Sequence, residues 1–203
     1  MKSLVVFGST GNTGICVLQA ALKRAFKVRA FVRDPGKLPN NLKSEVDIVQ
    51  GDVLNETDVR KALEGQDAVV VALGTRNDLS PTTVLSEGMK NIITQMKSLG
   101  VEVVSVCISA FLFWDPEKLP PRFIDLNADH LRMYNHLKSS DLKWIAVLPP
   151  HIADEPPTDN YIVTHDKSAG RVISKHDLGD FLVKSLTMPE HYKQTCGIAK
   201  PAQ

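Results

Sequence analysis

Between residues 4 and 23 the chain leaves room for few architectures. An apolar run, Leu4 to Phe7, stops in Gly8-Ser9-Thr10-Gly11-Asn12-Thr13-Gly14, and the chain restarts at Ile15 to Lys23 with the pattern of an amphipathic helix. A strand that breaks in a glycine turn and resumes as a helix aims several free backbone N–H groups, and the positive end of the helix dipole, at one point. That point suits a pyrophosphate. Gly8 permits the sharp turn, Gly11 removes the side chain that would hold a phosphate away, and Gly14 lets helix and strand pack closely. The spacing alone also fits a purely structural turn; its place after the first strand and at the start of a helix is what a dinucleotide site demands.

Strand and helix patterns then alternate, as stacked βαβ units do, predicting a single-domain α/β Rossmann-like three-layer sandwich over residues 1–203 with a mainly parallel sheet. Val28 to Val32 reads as a second strand, ended by Arg33-Asp34-Pro35-Gly36-Lys37, and Val46 to Val49 as a third, running into Gly51-Asp52-Val53. Asn55 or Thr57 caps a helix through Leu63. Ala68 to Leu73 has the continuous apolar character of a strand buried on both faces and stops at Gly74-Thr75-Arg76-Asn77. A long helix follows from Thr82 to Leu99 with Gly100 as its C-cap, then a strand from Val101 to Ile108, a helix from Leu126 to Leu137 and a strand from Trp144 to Leu148. Residues 151–170 are rich in proline and acids, with one short strand at Tyr161 to Thr164. Ser174 opens a last helix, Lys175 to Leu186.

Composition removes several functions. With 203 residues the chain can bury a substantial core, and a net charge of +1 gives no electrostatic reason to bind nucleic acid or an acidic membrane. Small-molecule partners remain. Cys16, Cys107 and Cys196 are odd in number and too scattered for a zinc cluster or a disulfide framework, which fits free thiols in a reducing cytoplasm. Met1 leads straight into a strand, so no targeting segment is expected ahead of the fold. His136, His165, His176 and His191 have no convergent partners in the sequence, and no metal site is expected.

Parallel sheets bind ligands outside the carboxyl ends of their strands, so the strand tips carry the functional argument. A carboxylate at the end of the second strand selects NAD; here Arg33 stands there with Lys37 close by, cations that suit the 2′-phosphate of NADPH. Asp34 offers an alternative partner for the ribose. Asp52 and Val53 suit adenine, one accepting from its amine and the other covering the ring edge. Leu73 and Gly74 pass beneath the ribose, where glycine permits close approach.

Longer stretches carry a resemblance. The Gly8–Gly14 motif, Leu73-Gly74-Thr75-Arg76-Asn77-Asp78-Leu79-Ser80-Pro81-Thr82-Thr83, Ser109-Ala110-Phe111-Leu112 with Trp114-Asp115-Pro116, Pro149-Pro150-His151-Ile152 and Val172-Ile173-Ser174-Lys175-His176-Asp177-Leu178-Gly179 resemble the biliverdin-IXβ reductase and NADPH-dependent flavin reductase family, an atypical branch of the short-chain dehydrogenases. The likeness covers the chain up to about Met188. It implies a soluble, monomeric, cytoplasmic reductase that carries hydride from NADPH to flavins, quinone-like acceptors and biliverdin-IXβ. Carried over, the cofactor positions are Gly8, Thr10, Gly11, Thr13, Arg33, Lys37, Asp52, Val53, Leu73, Gly74, Arg76, Cys107 and His130, with Ser109 and His151 at the reacting end. Lys37 stands where members of the family carry arginine; either cation serves a 2′-phosphate.

Most short-chain dehydrogenases use a Tyr-x-x-x-Lys pair, whose lysine lowers the tyrosine pKa for proton transfer. Tyr134 and Lys138 have that spacing. Register argues against them, because Lys138 is followed almost at once by the loop Ser139-Ser140-Asp141, where the superfamily's helix runs on for two or three turns. Counting back from the loop puts His130 in the lysine's place and Leu126 in the tyrosine's. A missing proton donor fits hydride transfer into an extended π system, which takes its proton from solvent and needs mainly proximity. Phe111, Trp114 and Pro150 would wall such an acceptor, with Ser109 hydrogen-bonding near it and His151 orienting a carboxylate or supplying a proton. A module that holds NADP(H) and switches partners without chemistry shares the same dinucleotide site and the same lost tyrosine.

Overall fold

The computed structural model describes residues 1–76 and 78–202; Asn77, part of the run beginning at Leu73, lies outside the described residues. In chain order the elements are β1 (Ser3–Phe7), α1 (Asn12–Lys23), β2 (Lys27–Val32), the one-turn α2 (Asn40–Lys43), β3 (Asp47–Gln50), α3 (Glu56–Leu63), β4 (Ala68–Val71), α4 (Val84–Leu99), β5 (Val103–Cys107), α5 (Ile124–Lys138), β6 (Lys143–Leu148), β7 (His151–Ala153), β8 (Ile162–His165), β9 (Val172–Ser174), α6 (Lys175–Lys184) and β10 (Gln194–Ala199).

One sheet takes eight of the strands in the order β3-β2-β1-β4-β5-β6-β10-β8. Every neighbouring pair is parallel except the last, where β8 runs antiparallel to β10. This is the mainly parallel Rossmann-like sheet that the alternating pattern predicts. The strand order reverses between β1 and β4, and the cleft required at such a switch point opens there. β7 and β9 pair separately as a small parallel ribbon.

Sequence dictates the layers simply. β1 and β4 are flanked by strands on both edges and helices on both faces, and Leu4, Val5, Val6, Phe7 and Ala68 to Val71 are fully buried. Alternate side chains enter opposite cores. Leu4 and Val6 join Val17, Leu18 and Phe181 under α1 and α6, while Val5 and Phe7 join Met89, Ile92 and Met133 under α3, α4 and α5. Each such side chain contributes roughly 1.5–3 kcal/mol on burial. Gly179 lets α6 meet α1 closely, since a Cβ there would lie 2.8 Å from Cys16 Cβ.

Three features exceed the expectation. The tail after Met188, outside the resemblance, supplies β10, a strand paired on both sides between β6 and β8, whose Cys196, Ile198 and Ala199 are fully buried. Gly197 interrupts its apolar pattern because the loop at Lys167 passes so close that a Cβ would lie 2.2 Å from the Lys167 carbonyl oxygen. His165, His191 and Cys196, which have no convergent partners in the linear sequence, come together, their ligand atoms all within 4.8 Å of one another. Among the described residues no helix is long and apolar enough to cross a membrane.

Candidate functional site

The glycine loop shapes one wall of a cleft of about 640 Å³ at the carboxyl ends of β1, β2 and β4. Gly8 leaves β1 with φ of +88°. The loop lies against the end of β4 so tightly that a Cβ on Gly8 would sit 2.2 Å from the Ala72 carbonyl oxygen, and one on Gly14 2.1 Å from the Gly8 carbonyl oxygen. Gly11 N–H donates to the Gly8 carbonyl (3.0 Å), closing the turn. Ser9 turns inward, its hydroxyl donating to the Val6 carbonyl (2.6 Å).

Capping distinguishes α1 from its neighbours. Asn55 caps α3 and Ser174 caps α6 through their own side chains, whereas Gly11 at the N-cap of α1 offers none and the first turn has no acid. Gly11, Asn12 and Thr13 line the cleft beside Thr10, and with the Gly11 amide engaged by the Gly8 carbonyl, the Asn12 and Thr13 amides are the end groups left at the cleft. This is the arrangement that receives an anion.

The tip of β2 adds cations. Arg33 and Lys37 line the cleft, are exposed, and enter no ion pair among the described residues. Asp34 is otherwise engaged: its Oδ1 accepts from Gly36 N–H (2.9 Å) and caps the turn Pro35–Lys37. Asp52 and Val53 also line the cleft. Asp52 accepts from Leu54 N–H (2.9 Å), and its own N–H donates to Asp58 (3.0 Å). Leu73, Gly74 and Arg76 form the β4 side, Arg76 with φ of +60°.

The third wall comes from β5 and α5. Cys107, Ile108, Leu126 and His130 line it. Burial pushes the Cys107 thiol up to about 12, so it is protonated and inert. Burial likewise lowers the His130 imidazole to about 4, against the opposing charge of Asp129. His130 is therefore neutral near pH 7, and its buried Nδ1 has no hydrogen-bond partner among the described residues. These residues fit a dinucleotide: bare glycines and free amides for a pyrophosphate, cations at the far tip, and a neutral, unpartnered imidazole on the opposite wall.

Six predicted residues lie outside the cleft lining: Gly14 is buried under the glycine loop, and the other five follow β5 and β6. Ser109 is half-buried past β5 and accepts from Phe111 N–H (3.3 Å), capping the turn Ala110–Phe113. Phe111 meets Trp114 edge-on (ring centroids 5.1 Å apart) and Phe123 (4.8 Å), and Trp114 is 48% exposed. Pro150 and the exposed His151 follow β6. The two groups are neighbours, because Ala110 N–H donates to the Pro149 carbonyl (3.1 Å) across adjacent strand ends. They form a shelf next to Cys107 and Ile108, beside the cleft rather than inside it.

Tyr134 faces elsewhere. Its hydroxyl shares a 2.7 Å hydrogen bond with Thr195, its ring meets Trp144 edge-on, and Lys138 Nζ lies 5.7 Å from the ring centre. Leu126 and His130 line the cleft, as the register count places them.

Sequence reasoning missed the ion pair of Lys175 and Asp154 (2.6 Å), both on the cleft wall beside Ile152. The available signal was Lys175, directly after the Ser174 cap inside a run already singled out. Also missed was Asp129, fully buried behind His130.

The profile of a family described as NAD(P)H-binding matches residues 8–189. The chain is similar to an uncharacterised chloroplastic protein of Arabidopsis thaliana, 28% identical over 207 residues that cover 93% of this chain and 73% of that protein. Among solved structures it superimposes on a proposed NAD-dependent epimerase/dehydratase from Bacillus halodurans with a TM-score of 0.88 at 20% identity, covering 100% of this chain and 96% of that one. A proposed NADH-flavin reductase from Streptococcus pneumoniae gives a TM-score of 0.84 at 22% identity, covering 99% and 100%. At these identities the two structures speak for the fold.

Proposed function

The chain belongs to the NAD(P)H-binding family of Rossmann-fold oxidoreductases, and from that premise we propose that it is an NADPH-dependent reductase of planar acceptors: flavins and biliverdin-IXβ, the latter giving bilirubin-IXβ. The observation that carries this reading is the α5 wall. It presents Leu126 and a neutral His130 to the cleft, while the Tyr134 hydroxyl is tied to Thr195 away from it. Among the described residues no tyrosine lines the cleft, and an acceptor that takes hydride into an extended π system needs none. The resemblance of Leu73–Thr83, Ser109–Leu112 and Trp114–Pro116 to flavin and biliverdin reductases supports the same acceptors.

Bound NADPH supplies the hydride; the protein's part is to hold and exclude. The amides of Asn12 and Thr13 receive the pyrophosphate, with Gly11 leaving room for its approach, and Arg33 with Lys37 receives the 2′-phosphate, which favours NADPH over NADH. Asp34 also lines the cleft, its Oδ1 holding its own turn and its Oδ2 left to face the ribose. Asp52 and Val53 take the adenine, and Leu73, Gly74 and Arg76 the β4 side. His130 can donate or accept one hydrogen bond at the nicotinamide ribose without introducing charge, next to the inert Cys107 thiol. The shelf of Ser109, Phe111, Trp114, Pro150 and His151 forms the acceptor's wall, apolar with two polar groups to set its orientation.

Purified protein is mixed with NADPH and either FMN or biliverdin-IXβ, and loss of nicotinamide absorbance is followed. Turnover with at least one planar acceptor is expected. Tight NADPH binding without turnover on any of them would instead make the protein a redox-sensing module and overturn the assignment.

A further inference from the structure

At the far edge of the sheet from the cleft, the antiparallel pairing of β8 and β10 sets His165 directly opposite Cys196. His191 ends the short turn Pro189–His191 that leads into β10, so chain geometry delivers a third donor to the same place. His165 Nε2 lies 3.0 Å from His191 Nδ1, and Cys196 Sγ lies 3.8 Å from that same nitrogen. The three atoms fall within 4.8 Å of one another.

We infer that His165, His191 and Cys196 form a zinc site of two imidazoles and one thiolate, with the fourth position open to water. Tetrahedral Zn²⁺, at Zn–N of about 2.05 Å and Zn–S of about 2.3 Å, holds its nitrogens about 3.4 Å apart and nitrogen from sulfur about 3.6 Å. Two of the three observed separations, 3.0 and 3.8 Å, differ from these by only a few tenths of an ångström, and the third, between His165 and Cys196, lies within 4.8 Å. Two of the donors are held before any metal arrives: Cys196 is fully buried, and His191, 8% exposed, packs edge-on against Phe181 with ring centroids 5.2 Å apart. His165 is exposed on the edge strand, and supplies the entry path and the open position. The donor set selects the metal class, since imidazole and thiolate suit Zn²⁺ whereas Mg²⁺ and Ca²⁺ take oxygen.

Loading balances simply. The Cys196 thiol gives up its proton to become the ligand, and the N–H lying between the two imidazoles moves to the other nitrogen of its own ring. One proton is released per zinc bound. The ion would pin β8 and the turn before β10 to β10 itself, closing the one antiparallel edge of the sheet. This inference rests on side-chain geometry remote from the cleft and is independent of the reductase reading.

The full-length protein, stripped with chelator and returned to metal-free buffer, is titrated with zinc sulfate by calorimetry and with cobalt chloride by absorbance. Expected are one equivalent of zinc, a raised melting temperature, and a thiolate-to-cobalt charge-transfer band with tetrahedral d–d absorption. His165→Ala, an exposed change that leaves the fold intact, weakens zinc binding on the order of tenfold or more. Cys196→Ser abolishes the charge-transfer band. Should the serine variant fail to fold, the His165→Ala titration decides alone. Absence of saturable zinc binding in the native chain, or binding and cobalt spectra unchanged in His165→Ala, overturns the site. So does loss of binding in His176→Ala, which would place the metal at the Cys16–His176 pair (3.6 Å).

Discussion

Ser86, in the first turn of α4, donates its hydroxyl at 2.5 Å to the Asp129 carboxylate on α5. Asp129 also accepts from the Leu85 and Ser86 amides (3.0 and 3.4 Å) and from Arg132 (3.1 Å), and Arg132 in turn donates to the Thr82 carbonyl (2.8 Å). A residue 43 positions away in sequence thus caps a helix whose own N-cap, Thr83, makes no side-chain bond. This joins α5, which carries His130, to the segment after β4 and holds two walls of the cleft in register. Asp129→Ala leaves the Leu85 and Ser86 amides without their acceptor and reduces the Ser86 hydroxyl and the Arg132 guanidinium to the Thr83 and Thr82 carbonyls. It is expected to cost about 3 kcal/mol, lowering the melting temperature by about 6–12 °C in a scanning calorimeter.

His130 makes stability depend on pH. Its folded pKa of about 4 lies below its ordinary value of 6.5, with Asp129 opposing the shift but not cancelling it. The unfolded chain therefore binds the proton first as pH falls. The stability of the neutral imidazole is fully present above pH 6.5 and is lost progressively between 6.5 and about 4. Urea unfolding at pH 7 and pH 5 should differ by about 2 kcal/mol from this group. His130→Leu should remove that part of the difference; an undiminished pH dependence in the variant would refute the assignment.

What could be read from the sequence follows chain locality. The glycine loop, the strand tips at Arg33 and Asp52 and the register of Leu126 and His130 are local patterns, and Gly8 to Thr13, Arg33, Asp52, Leu126 and His130 all face one cleft. β10 was not legible because Gly197 and a polar start break its apolar run, and its burial comes from neighbours rather than from its own pattern. Asp129 reads as an ordinary helix-surface acid until α4 is packed against α5. Likewise His165, His191 and Cys196 are brought together only by strand register.

Tyr134→Phe separates the two readings of the Tyr-x-x-x-Lys spacing. The variant loses its 2.7 Å hydrogen bond to Thr195, costing about 1 kcal/mol, yet nothing in the cleft changes. Flavin reduction within about twofold of the native rate is expected, with a melting temperature lower by about 2–4 °C. A loss of activity of about a hundredfold or more would restore the tyrosine to the proton-transfer role.

Arg33→Ala tests the cofactor. Arg33 is exposed and unpaired among the described residues, so the change should leave the fold alone. Loss of a charge-assisted contact to the 2′-phosphate should raise KM for NADPH by about 10–100-fold while KM for NADH moves little. Equal changes for both nucleotides in steady-state assays would sink the phosphate assignment.

Gly14, buried under the glycine loop, and Gly74, on the cleft lining, do different work, and alanine tells them apart. At Gly14 the added Cβ would lie 2.1 Å from the Gly8 carbonyl oxygen, a backbone atom with no side-chain freedom to yield, so the loop or α1 must shift. Gly14→Ala should cost about 3 kcal/mol and lower the melting temperature whether or not nucleotide is present. Gly74 has no atom within 4 Å of such a Cβ and no positive φ, so the fold accepts the methyl and gains about 0.5 kcal/mol from the stiffer unfolded chain. Yet Gly74 lines the cleft, and the methyl takes up space beside the bound nucleotide. Gly74→Ala should therefore keep or raise the melting temperature while weakening NADPH binding by about tenfold in a fluorescence titration. Unchanged affinity in that variant would mean that the open space at Gly74 is not used by the cofactor, and that the nucleotide rests against Leu73 and Arg76 instead.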